Sequence, residues 1–121
     1  MNAALERLRE RNRAEVKLED GDLLVSLELP PLRECILAGG IPLPVLEKIA
    51  KADGAIPDLE PGELEKFQEF QRVMVTKSVK AIEGEELDEE MSPQDTSVFS
   101  DAQFYELVAY AMREKPLPGK A

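Results

Sequence analysis

The chain of 121 residues has no histidine, no tryptophan and a single cysteine. Without histidine, neither a serine nor the lone thiol has its usual activating base, and no cysteine–histidine set can hold zinc. Cys35 cannot form an intrachain disulfide, and among Leu32, Ile36 and Leu37 it reads as a small buried hydrophobe. No glycine-rich phosphate loop and no basic patch are present. Asp20 and Asp22 lack the further spaced oxygen ligands of a calcium loop. No catalytic residue, metal ligand or cofactor is therefore assigned, and a non-enzymatic protein is expected. No apolar run is long enough to span a bilayer, and no secretory signal leads the chain, so an intracellular location is expected.

Positive charge is also scarce. Fifteen Lys and Arg face 25 Asp and Glu, for a net charge of −10. Residues 81–112 contain no Lys or Arg but nine acids: Glu83, Glu85, Glu86, Asp88, Glu89, Glu90, Asp95, Asp101 and Glu106. Outside that block the charges nearly balance. Nucleic acid and anionic membrane are excluded as expected partners, because both repel such a block. A basic protein surface would be attracted to it, but the plainer account is a solvated acidic loop that keeps the protein soluble. Aromatics make up only 5% of the chain, but 43% hydrophobic residues suffice for one modest folded domain.

What is present reads as an α+β chain, mostly helical, with an N-terminal β-hairpin followed by about four helices in one small domain. Residues 1–13 are expected to be a mobile or frayed helical N-terminus. Residues 14–114 form the domain, and residues 115–121 a flexible tail. The hairpin covers residues 14–29. Val16 and Leu18 alternate with charged neighbours, Leu23, Val25, Leu27 and Leu29 share the next face, and Asp20-Gly21 supplies a tight two-residue turn. Such a hairpin needs a cover. A helix over residues 31–38, opened by Pro31, stops at Gly39 as a left-handed cap and Gly40 as a sharp exit, while Pro42 and Pro44 hold the link extended.

A helix over residues 43–52 presents Leu43, Leu46, Ile49 and Ala50 on one face. The longest helix is expected over residues 61–82, with Leu64, Phe67, Phe70, Met74 and Ala81 near one stripe. Val73, Val75, Val79 and Ile82 widen it, so its second half should lie between two layers. An acidic loop follows over residues 83–98, in which Ser92-Pro93 favours one helical turn. Ser100 and Gln103 form a capping box for a last helix over residues 100–114, striped by Phe104, Leu107, Val108 and Ala111.

Taken in order, these parts resemble the tail assembly chaperones of long-tailed phages, over residues 14–112. The resemblance is carried by Leu29-Pro30 at the end of the hairpin and by Ala38-Gly39-Gly40-Ile41-Pro42-Leu43-Pro44 after the short helix. It continues in the apolar helix centred on residues 70–79, in Met91-Ser92-Pro93-Gln94-Asp95, and in the capped helix from Ser100 to Met112. It implies binding of the tape measure protein, keeping that protein soluble, with recruitment of tail tube protein as an extension. It also implies residence in the host cytoplasm and absence from the mature virion. A helical, apolar-striped partner needs apolar grooves and a charged carrier. On that basis Val73, Val75, Val79, Tyr105, Tyr110 and Met112 are the contact candidates, with burial in the domain's own core as the competing fate of each valine. Self-association is open. The alternative reading is a structural head–tail connector or tail-completion subunit of the virion, and a small acidic regulator of a basic enzyme is a third.

Overall fold

The alternation around residues 16–29 does build a hairpin. The computed structural model, which describes residues 2–39, 41–53, 55 and 57–118, pairs β1 (Arg13–Lys17) antiparallel with β2 (Leu24–Glu28), Lys17 opposite Leu24. Val16, Leu18, Val25, Leu27 and Leu29 are buried. The connection differs from the expected tight turn. The Leu18 N–H donates to the Leu23 carbonyl at 2.8 Å, which leaves Glu19, Asp20, Gly21 and Asp22 as the loop. Positive φ falls at Gly21 (74°) and Asp22 (51°), one residue later than Asp20-Gly21.

The larger correction concerns the long helix. It spans Pro61–Ser78, and Val79–Ile82 leaves it as a strand, β3, paired antiparallel with β2. Two local causes act together. The Thr76 and Ser78 hydroxyls donate to the carbonyls of Val73 (2.9 Å) and Met74 (2.6 Å), a side-chain competition that weakens a helix end. Val79 and Ile82 are β-branched and meet the open edge of β2. Glu83 and Gly84, with φ of 53° and 80°, then form a primed two-residue turn into β4 (Glu85–Glu86). The sheet order is β1-β2-β3-β4. The fold is α+β and mostly helical, but it is not a hairpin followed by four helices. Half of the sheet arrives between the long helix and the C-terminal helices, and the expected acidic loop begins as a strand pair.

The β2–β3 register carries one irregularity. Ala81 lies opposite Ser26 and Val79 opposite Leu27, so Lys80 is an extra residue on β3. This bulge lets Val79 and Ile82, three apart, both pack on the core. Ala81 shares the face of Ser26 and so leaves the stripe expected with Met74.

Five α-helices are seen among the described residues: α1 (Ala3–Arg11), α2 (Leu32–Gly39), α3 (Leu43–Ala52), α4 (Pro61–Ser78) and α5 (Asp101–Ala111). α4 is central. It packs on α2 along one side and on α5 and a 3-10 helix (Pro93–Val98) along another, and it also touches β2 and β3. Its second half is therefore buried on several sides, at Phe70, Gln71, Val73, Met74, Val75, Thr76 and Ser78. α3 turns Val45, Leu46 and Ile49 inward, whereas Leu43 and Ala50 face solvent. Pro42 is the extended residue before α3, but Pro44 lies inside its first turn, not in the link. Gly39 closes α2, and the glycine exit expected at Gly40 lies outside the described residues.

The ends also differ from expectation. α1 is a capped helix, its Ala4 N–H donating to Asn2 Oδ1 at 2.9 Å, and none of its residues is buried. α5 stops at Ala111. The chain then doubles back: Arg113 Nη2 donates to the Pro30 carbonyl at 2.8 Å, Lys115 pairs with Glu106 at 2.9 Å, and Leu117 is buried in the core. The segment expected to be a flexible tail from residue 115 is thus anchored at Leu117, because a leucine and two long cations find partners there.

Candidate docking groove

Two reciprocal caps set the local frame of the C-terminal third. The Ser92 N–H donates to Asp95 at 2.9 Å as the 3-10 helix begins. The Gln103 N–H donates to Ser100 Oγ at 3.1 Å, and the Ser100 N–H to Gln103 Oε1 at 2.9 Å, as α5 begins. The loop between β1 and β2 is clasped onto this second cap. Ser100 Oγ donates to the Asp20 carboxylate, Gln103 Nε2 donates to the Asp20 carbonyl at 2.9 Å, and the Glu19 N–H donates to Glu106 at 2.9 Å. Asp20, Gly21 and Ser100 therefore work as one joint, and what they position is the first turn of α5 with Phe104 and Tyr105.

Between that turn, the 3-10 helix and α4 runs an open groove of about 620 Å³. Phe99, Phe104 and Tyr105 give it an aromatic wall, Phe104 and Tyr105 meeting edge to face at 5.5 Å between ring centres. Gln68, Gln71, Gln94, Thr96 and Ser97 supply amides and hydroxyls, while Arg72 and Asp101 stand at the rims. Arg72 lies 3.3 Å from Glu69, an exposed pair that contributes little to stability.

Of the expected contact residues, the structure brings only Tyr105 to this groove, 55% exposed. Val73, Val75, Val79 and Tyr110 are buried in the core, and Met112 is half-buried against it. The valines meet the competing fate, burial: Val73 and Val75 because α4 is covered on several sides, and Val79 because it joins β3 against β2. Tyr110 has Lys115 over its ring at 5.1 Å, which uses its outer face. Gln71 was missed. Its signal was available, as an amide set between Phe70 and Val73 in the part of the helix with least polar surface.

The remaining chemistry is sparse. Cys35 is 1% exposed, and burial pushes its thiol up, with Lys77 and Arg113 partly opposing the shift. Among the described residues no three acids or cysteines converge as a metal site, and no helix is long and apolar enough to cross a membrane. Comparison with family models, with curated proteins and with solved structures gives no match.

Proposed function

We propose that this protein is a non-enzymatic tail assembly chaperone of a long-tailed phage, which binds the tape measure protein in the host cytoplasm, keeps it soluble, and is absent from the finished virion. The observation that carries the reading is apolar surface left uncovered on a strongly acidic carrier. Residues 35–46 contain no charged side chain, and within them Leu37 is 82% and Leu43 66% exposed. Val98 on the 3-10 helix and Tyr105 on α5 add exposed apolar area. Exposed apolar side chains suit a striped helical partner, and the net charge of −10 keeps the carrier dispersed. The order of sequence parts described above supports the same family.

Co-expression with a candidate tape measure protein from the same genome tests the proposal. The expected result is a soluble complex that co-elutes on size exclusion. A tape measure protein that stays insoluble while this chain elutes alone overturns it. A second reading, a head–tail connector or tail-completion subunit, draws on α1, whose Leu5 and Leu8 are exposed on a helix with no buried residue. A ring on size exclusion, and this chain in purified virions, would favour that reading.

A further inference from the structure

We propose that the groove between α4, the 3-10 helix and α5 holds an extended, main-chain-unpaired peptide segment, with the Gln71 carboxamide pairing to its backbone. The inference builds on the docking role proposed above and names how the partner is held.

Four polar residues are buried among those described: Gln71, Thr76, Ser78 and Thr96. Three are accounted for. Thr76 donates to the Val73 carbonyl, Ser78 to that of Met74 and Thr96 to that of Pro93. Gln71 is 8% exposed, yet its side chain makes no hydrogen bond to any described residue. No fully sealed polar atom lacks a partner, so the Gln71 carboxamide opens onto the groove it lines. In the open groove that carboxamide pairs with water, and an occupant that seals the groove must offer it a replacement hydrogen bond.

The chemistry of the gap selects the occupant. A carboxamide offers one acceptor and one donor side by side, the complement of a peptide N–H and C=O. A helix has already used those groups internally, whereas an extended segment presents them. Gln68, Gln94, Ser97 and Tyr105 add further polar groups along the same groove, and the Phe99 and Phe104 wall accepts an apolar side chain. The volume of about 620 Å³ lies in the usual range for a formed binding site. Because Arg72 is paired with Glu69, Asp101 is the groove's remaining charge and favours a Lys or Arg in the segment.

The test uses the full chain and two sets of short labelled peptides, one tiled across the tape measure protein and one across reduced, carboxymethylated α-lactalbumin, read by fluorescence polarisation. At least one peptide is expected to bind and to be extended in transferred NOE spectra. Gln71→Leu keeps the bulk, removes the carboxamide, and is expected to weaken binding about tenfold. N-methylation of the paired peptide amide should weaken binding to the native chain similarly and leave binding to the variant unchanged. Should Gln71→Leu fail to fold by circular dichroism, Tyr105→Ala at the exposed rim reads the same groove, with a comparable loss expected.

Binding by the α-lactalbumin set alone supports the groove and removes the tape measure protein as its occupant. Binding by neither set overturns the groove while leaving the co-expression result to stand or fall by itself. Unchanged affinity in Gln71→Leu, or a helical bound peptide, overturns the proposal.

Discussion

Replacing Gly21 by alanine tests whether the loop clasp is a joint that holds the groove. Gly21 has φ of 74°, in the left-handed region, and a Cβ built there stands 3.2 Å from Gln103 Nε2. The backbone term for an L-residue in that region is about 1–2 kcal/mol. The contact adds a second term, because the displaced nitrogen is the one that donates to the Asp20 carbonyl at 2.9 Å, a bond worth about 0.5–1.5 kcal/mol. The sum is about 1.5–3.5 kcal/mol. For a chain of this size that should lower the urea midpoint by about 1–2 M, followed by circular dichroism.

A mutant cycle separates the two terms. Gln103→Ala alone removes the clasp and half of the α5 cap. In Gly21→Ala/Gln103→Ala the new methyl group has nothing to push against, so the double variant should be more stable than additivity predicts, by about 1 kcal/mol. Gly21→Asn keeps the contact but tolerates the left-handed backbone, and should fall between native and alanine. A Gly21→Ala cost below about 0.5 kcal/mol would refute the backbone argument. Strict additivity in the cycle would refute the clasp.

Other outcomes follow from separate parts of the structure. Met74 is fully buried on the central helix, so Met74→Ala should cost about 2–5 kcal/mol in thermal or urea unfolding, and native-like stability would place it outside the core. Lys48 lies 2.6 Å from Glu63, whose carboxylate also accepts the Glu60 N–H; these bonds, Lys48 first, hold the Glu63 carboxyl below its ordinary range, while Glu63 raises Lys48. A lowered acid stabilises the fold above its ordinary pKa and loses that contribution as pH falls through the depressed value. A raised lysine stabilises below its ordinary pKa and loses its contribution as pH climbs past it. Glu63→Gln should therefore lower the urea midpoint at pH 7 and approach the native midpoint on acidification; a gap that is constant with pH refutes the ion pair. Cys35 should resist a thiol reagent in the folded chain and react fully in urea, whereas fast labelling of the native protein would contradict its burial.

Periodicity and caps carried the sequence reading a long way. The alternation around Val16 and Val25, the Ser100–Gln103 capping box and the start of α4 at Pro61 depend on neighbours within a turn or a strand, and the chain alone determines them. The inward face of β1 and β2 is fixed in the same way, since a strand's period of two leaves no choice once one side is apolar. The uneven charge, with its excess acids in residues 81–112, is likewise a property of sequence alone.

Only the tertiary structure decided the rest. Val79–Ile82 has enough apolar residues to extend a helix, and the presence of the β2 edge makes it a strand instead. Val73, Val75 and Tyr110 offer apolar surface in one dimension that packing in three dimensions consumes, while Leu37 and Leu43, in an uncharged stretch, are left in solvent. Gln71 is marked in the sequence only as an amide on an apolar stretch of helix, and that it lines a groove is decided by the 3-10 helix and α5 packing beside α4. Local pattern fixes which way a residue points, but what it meets there is set by segments distant in the chain, and burial and hydrogen-bond pairing belong to that meeting.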